Sequence, residues 1–220
     1  MFGRLVLLKR LSDALLDGDR IFATIAVSVL NQDGRTAGIM SPNLDSQKKM
    51  MADALLRAGL DRSDIGYIES HGTGTQVGDT IEAAALGEIY GQADNRRSLP
   101  VGSVKTNIGH TEAAAGIAGL IKAVLAIWHG YIPPNLNFST PNPEIDFDCL
   151  CIHIPVDGHA WDNIAHCRRI AAVNSFGFGG TNAHVIIQQA PQHTVSSKRT
   201  FNSPLLLLSL IHISEPTRPY

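Results

Sequence analysis

The sequence predicts a layered α/β fold, and three observations carry that expectation. Short β-branched runs alternate with segments of helical spacing along most of the chain. Polar residues and glycines gather where strand-like runs give way to helices, at Ser70-His71-Gly72-Thr73-Gly74-Thr75 and at Lys105-Thr106-Asn107-Ile108-Gly109-His110. Late in the chain, two strand-like runs flank the tight turn Gly177-Phe178-Gly179-Gly180, which closes the order like a hairpin.

Residues 5–9 read as a short buried strand, and residues 11–16 as a helical or turn segment ending at Asp17-Gly18-Asp19. Residues 21–30 are rich in Ile and Val and read as a strand, followed by the turn cluster Asn31-Gln32-Asp33-Gly34-Arg35. After Pro42 a helix is expected, with Asp45 as N-cap and Met50, Ala54, Leu55 and Ala58 at helical spacing up to Gly59. Residues 64–70 form the next expected strand, buried, running into His71. Asp79 then opens a helix through Tyr90, with Glu82 in its first turn, where negative charge is favoured.

Residues 99–104 are another strand and residues 112–128 a long helix. The helix carries the run Ala113-Ala114-Ala115-Gly116-Ile117-Ala118-Gly119, whose small face demands a close neighbour. A proline-rich connector spans residues 130–143. Residues 169–174 and 183–188 are the last strands, joined by the tight loop 176–182. The domain is expected to end at residue 191. Residues 192–220 turn to Ser, Thr, Lys and Gln and then lose any continuing period, and residues 210–220 resemble a translated sequencing adapter.

With 44% hydrophobic residues the chain can build a core, and a net charge of −2 without a long basic run argues against nucleic acid or an anionic membrane as partner. Cys149, Cys151 and Cys167 are odd in number and contain no Cys-x-x-Cys, which points to reduced thiols and a cytoplasmic setting. The apolar run at residues 5–8 is too short, and its charge too late, for a signal peptide. The run at 205–213 is too short to span a bilayer. Nine histidines invite a zinc reading, but there is no His-Glu-x-x-His, and Cys149-x-Cys151 has no second pair. One or both of those cysteines are expected to point into a strand-packed core, and no metal is expected.

The chemistry is expected at the strand ends. His71 ends a buried strand before two glycines, and Thr73 and Thr75 offer hydroxyls beside it. The spacing Gly72-x-Gly74-x-x-x-Gly78 is neither a dinucleotide fingerprint nor a P-loop. Lys105 and His110 lie five residues apart across a glycine-bounded turn. Either alone reads as a solvated cation or a core imidazole. Together with His71 they suit a pocket in which two neutral imidazoles donate N–H groups to a developing oxyanion. Asp79, Glu82 and Glu112 are the carboxylates that could pair with Lys105. The third constellation, Asn174-Ser175-Phe176-Gly177-Phe178-Gly179-Gly180-Thr181-Asn182-Ala183-His184, suits a glycine-hinged gate, or a structural turn that packs Phe178 into the core.

These three motifs, in this order, resemble the β-ketoacyl synthase domain of type I polyketide synthases and fatty acid synthases. Asn31-Gln32-Asp33-Gly34 and Ile132-Pro133-Pro134-Asn135 strengthen the likeness, which covers about residues 3–190. The resemblance implies the C-terminal half of a thiolase-like α/β/α/β/α condensing domain, homodimeric in the full protein. It implies decarboxylative Claisen condensation of a malonyl-type thioester with an acyl-enzyme, with no bound cofactor and with substrates carried on the phosphopantetheine of an acyl carrier protein. His71 and His110 would serve decarboxylation, Lys105 would organise the network with Glu82, and Thr73 and Thr75 would meet the phosphopantetheine arm. The Phe176 backbone would help form an oxyanion hole, with its ring as gate. The family's nucleophile lies in a Thr-Ala-Cys-Ser-Ser type elbow, and this chain has none. The segment alone is therefore expected to be inactive, and its partners are the remaining ketosynthase half, neighbouring synthase domains and the carrier protein. Two alternatives stand beside this: a non-catalytic orphan fragment, and a thiolase-type acyltransferase, for which Gly177-Phe178-Gly179-Gly180 supplies no second cysteine.

Overall fold

A computed structural model of the chain describes residues 5–36, 38, 41–91, 98–161 and 168–191. Residues 5–10 are extended and solvent-facing rather than a buried strand, with Leu5 and Leu7 each 89% exposed. Among the described residues no strand pairs with them to bury their apolar side chains, and a strand needs one. Helix α1 (Leu11–Leu16) follows, and then strand β1 (Ala23–Gln32), which begins and ends two residues later than expected because it pairs as far as Gln32.

Helix α2 (Leu44–Ala58) starts after Asn43, whose side chain accepts the Ser46 N–H, so Asn43 is the N-cap and Asp45 sits in the first turn. Gly59 closes α2 in the left-handed conformation that glycine adopts without penalty. Strand β2 (Tyr67–Glu69) is shorter than expected because residues 62–64 take a 3₁₀ turn. Helix α3 (Gln76–Tyr90) begins three residues before Asp79, which moves Asp79 to the first turn and Glu82 to the second. Strand β3 (Leu99–Gly102) leads to a single turn, α4 (Lys105–Ile108). Helix α5 (Ala115–His129) is preceded by a 3₁₀ turn at Glu112–Ala114. Short strands β4 (Tyr131–Ile132), β5 (Ile152–His153) and β6 (His159–Ala160) come next. The hairpin of β7 (Ile170–Phe176) and β8 (Thr181–Gln189) completes the order.

One six-stranded sheet runs β1-β8-β7-β2-β3-β5. β8 is antiparallel to both β1 and β7, while β7, β2, β3 and β5 are mutually parallel. Alternation along the strands divides two cores. Ile68, Ala172 and Ile186 face α2 and α3, packing with Met50, Met51, Ala54, Leu86 and Tyr90. Tyr67, Ala171, Val173 and Ile187 face α5, packing with Ala123, Ala126 and Ile127. The described residues therefore form three layers, helices on both faces of one mixed sheet.

The small face of α5 does what its composition demands. A Cβ at Gly116 would lie 2.8 Å from Ser175 Oγ, too close without a shift, and one at Gly119 would crowd Glu69 Cγ at 3.1 Å, so glycine favours this close approach to β7 and β2. Gly130 caps α5 in the left-handed region, and Arg169 sends Nη1 to the Ile127 carbonyl and Nε to the Trp161 carbonyl, placing a cation at the helix C-terminus. Cys149 is exposed and Cys151 half-buried, so neither fills the core as expected; both sit in a turn-rich segment rather than a strand. Cys167 and the tail 192–220 lie outside the described residues.

Candidate active site

Because β7, β2 and β3 are parallel neighbours, their carboxyl ends share one edge of the sheet. β2 delivers His71, β3 delivers Lys105 and His110 through α4, and β7 ends on Phe176. The His71 and His110 rings meet edge to face with centroids 5.7 Å apart, and the Phe176 ring lies 5.3 Å from His71.

Each imidazole is oriented by a backbone amide. The Glu112 N–H donates to His110 Nδ1 at 2.9 Å, and the Phe176 N–H donates to His71 Nδ1 at 3.3 Å. An Nδ1 that accepts must be unprotonated, so each neutral ring carries its hydrogen on Nε2. Glu112 reaches His110 from a left-handed backbone, φ 50°, a conformation that costs a non-glycine residue on the order of 1 kcal/mol. Gly109, at φ 71° and ψ −177°, occupies a region open essentially to glycine alone, which sets the direction in which His110 leaves α4.

His71 is held neutral. Burial first, then the positive charge of Lys105, then His110, lower its pKa to about 3. Lys105 is itself pushed below the ordinary lysine value by burial, which outweighs the pull of Glu82, Glu69 and Asp79. The expected pairing of Lys105 with Glu82 is not made: among the described residues no ion pair joins them. The Glu82 carboxylate is already taken. Oε1 accepts the His71 N–H at 2.8 Å and Asn174 Nδ2 at 2.8 Å, and Oε2 accepts the Gly72 N–H at 2.9 Å. Its carboxyl pKa is raised by burial, against the lowering effect of those donors. Asp79 Oδ1 accepts the Gly74 N–H at 3.1 Å, and Glu112 serves through its backbone alone. Thr73 and Thr75 join hydroxyls at 3.1 Å on the exposed lip.

The structural alternative, a turn that packs Phe178 into the core, is not found; the ring that turns inward is that of Phe176. Phe176 packs against the core and its N–H is engaged with His71, whereas Phe178 stands 69% exposed on the glycine turn. The turn is held from β1: Asn182 Nδ2 donates to Asn31 Oδ1 and Asp33 Oδ1, and the Asp33 N–H donates to the Gly180 carbonyl. This gives Asn31-Gln32-Asp33-Gly34 its purpose. Asn135 does the same for α4, accepting the Ser103 N–H at 3.0 Å.

Two buried networks are not apparent from the sequence. In the first, Tyr90 donates to His184 Nε2 at 2.7 Å, and His184 Nδ1 donates to Asn174 Oδ1 at 2.6 Å. Asn174 Nδ2 donates to Glu82, so donors and acceptors alternate without conflict from Tyr90 to the His71 backbone. Burial lowers the His184 pKa to about 3 and raises that of Tyr90. The second network centres on Glu69, which accepts Tyr67 Oη at 2.7 Å and the Val104 N–H, and faces Lys122 Nζ at 2.8 Å. The Lys122 contact is an ion pair without hydrogen-bond alignment. Asn174 and His184 are visible in a motif, but cross-strand pairing is what brings them together. Among the described residues, no group of three His, Cys, Asp or Glu side chains is placed to hold a metal ion.

The parallel strands of one layered sheet thus bring two imidazoles together at a single edge. Residues 22–139 match the β-ketoacyl synthase C-terminal domain, and residues 141–217 match the ketoacyl-synthetase C-terminal extension. The chain belongs to the β-ketoacyl synthase family. It is 53% identical over 188 residues to a phenolphthiocerol/phthiocerol polyketide synthase of Mycobacterium tuberculosis, covering 85% of this chain and 10% of that protein. It is 47% identical over 205 residues to the highly reducing polyketide synthase poxF of Penicillium oxalicum, covering 90% of this chain and 8% of that protein. Among solved structures, the ketosynthase from module 6 of the Bacillus subtilis bacillaene synthase superposes with a TM-score of 0.79 at 42% identity, covering 82% of this chain and 33% of that one. The oxazolomycin ketosynthase domain of Streptomyces albus gives 0.80 at 38% identity, covering 84% and 34%. The fold is thus that of ketosynthase domains, and the chain spans about a third of their length and about a tenth of the curated synthases.

The buried imidazole of His184 makes stability depend on pH. Its pKa is about 3 folded against an ordinary 6.5, so between those values the unfolded chain binds a proton that the folded one does not. Stability from this group is full above 6.5 and is lost as pH falls. In a ketosynthase carrying this segment, urea unfolding should show wild type losing about 1.4 kcal/mol per pH unit relative to His184→Gln as pH falls from about 6 to 4.5. Parallel curves for the two proteins would refute the assignment.

Proposed function

We propose that this segment supplies the decarboxylation half of a β-ketoacyl synthase site in polyketide or fatty acid assembly. The observation that carries the reading is the pair of Nδ1 acceptors, which leaves both His71 and His110 as Nε2–H donors. When a malonyl-type thioester loses carbon dioxide, the electrons of the breaking C–C bond move onto the thioester oxygen. Two neutral N–H donors stabilise that enolate without giving up a proton. The enolate carbon then attacks the acyl thioester on a cysteine supplied outside these 220 residues, forms the new C–C bond and expels the thiolate.

Lys105 acts through its charge. Adding to the larger effect of burial, it helps to hold His71 neutral and so keeps a neutral donor, and not an imidazolium, in place. Glu82 fixes the His71 main chain, Asp79 fixes Gly74 behind it, and Phe176 both orients His71 and walls it from the core. Thr73, half-buried, and Thr75, exposed, pair their hydroxyls beside His71 and would meet a phosphopantetheine arm. The reading brings with it an acyl carrier protein, the rest of the ketosynthase, neighbouring synthase domains, a homodimer and a cytoplasmic setting.

The test is condensation. A ketosynthase carrying this segment should form a β-ketoacyl product from carrier-bound malonyl and an acyl thioester. The 220-residue chain alone should form none and should take no acyl group on Cys149, Cys151 or Cys167 by mass spectrometry. Acyl loading of one of these cysteines, followed by product formation, would overturn the reading.

A further inference from the structure

Glu69 is the most heavily engaged buried group that the proposed chemistry does not use. It is 1% exposed, it lies two residues before His71 at the end of β2, and it accepts the N–H of Val104, the residue before Lys105. One carboxylate therefore joins the strand end that presents His71 to the turn that presents Lys105 and His110. Its other oxygen meets Tyr67 Oη and Lys122 Nζ, and Lys122 stands on α5, directly after the His110 turn.

The space for this cluster is built by glycines. A Cβ at Gly119 would meet Glu69 Cγ at 3.1 Å, and a Cβ at Gly102 would meet Tyr67 Oη at 2.6 Å and Lys122 Nζ at 3.2 Å. A buried ion pair adds little net stability over a well-packed apolar pair, since desolvation offsets the Coulomb gain. Its use here is geometric: a carboxylate with three partners from three segments fixes their mutual placement more tightly than apolar contact does.

We propose that Glu69, charge-balanced by Lys122, is a positioning residue that sets the His110–Lys105 turn against His71. The inference rests on the reading that these histidines serve decarboxylation. None of the polar partners given for Glu69, Tyr67, Val104 and Lys122, lies in the hairpin turn, so acyl loading of the nucleophile should be insensitive to it.

The experiment uses a ketosynthase carrying this segment and measures two partial reactions on folded, monodisperse protein: acyl loading of the nucleophile, and carbon dioxide release from carrier-bound malonyl. Glu69→Gln places an amide N–H₂ against Lys122 and should lower the kcat of carbon dioxide release at least tenfold, with KM and acyl loading within twofold of wild type. Lys122→Met in the same chain removes the opposing cation and should restore at least threefold. Release unchanged in Glu69→Gln, or loading and release falling together in folded protein, would overturn the proposal. So would a double variant no better than the single. His110→Ala runs alongside: if it leaves carbon dioxide release unchanged, the functional reading itself has failed, and that result is distinct from a failure of Glu69 alone.

Discussion

Replacing His110 by alanine in a ketosynthase carrying this segment should lower carbon dioxide release from malonyl thioester by about 10²–10³-fold, the usual loss when one preorganised oxyanion donor is removed. The size of the effect follows from the setting of the donor. The Glu112 N–H on Nδ1 fixes the tautomer at 2.9 Å, and the left-handed Glu112 and the glycine-only geometry of Gly109 fix the ring's direction. No reorganisation is then needed as charge develops. Acyl loading should persist, because neither His110 contact involves the hairpin turn. His110→Gln, which offers an N–H but lacks the ring's orientation by Glu112, should fall between wild type and alanine. Isotope-ratio measurement of released carbon dioxide checks the order of the variants, and mass spectrometry of the acyl-enzyme checks loading.

The second large effect is on stability. Glu82→Ala should destabilise by about 3–5 kcal/mol, because it strands one buried and two half-buried donors and opens a cavity. Those donors are the His71 N–H, the Gly72 N–H and Asn174 Nδ2. With Asn174 unanchored, His184 and Tyr90 lose the partner that fixes their alternating pattern. Glu82→Gln retains an acceptor but turns an amide N–H₂ toward an N–H, so it should cost less, about 1–3 kcal/mol. Urea unfolding of both variants tests the order. A Glu82→Ala protein as stable as wild type would show that the network contributes nothing.

Much of this is legible in the order of residues. Strand, turn and helix around His71 and around Lys105 are local features, and so is the small face of α5 that Gly116 and Gly119 press onto the sheet. What the sequence hides is pairing across distance. Glu82 and Lys105 look like an ion pair because both are charged and both flank the site. The choice between that and Glu82 serving three N–H donors depends on how β2, β3 and β7 lie side by side. Residues 5–9 carry a strand composition, but among the described residues no strand pairs with them, and they stay exposed. Phe176 and Phe178 are two apart in a loop, and only the end of β7 decides which ring turns inward.

The central claim is that His71 and His110 both present Nε2–H to one oxygen. The most direct measurement is the structure of a ketosynthase carrying this segment with a non-decarboxylating malonyl thioester analogue bound. The thioester oxygen is expected within about 3.2 Å of both Nε2 atoms, with both Nδ1 atoms still on the Glu112 and Phe176 amides. A thioester oxygen held by other donors, or a ring flipped to present Nδ1, would contradict it.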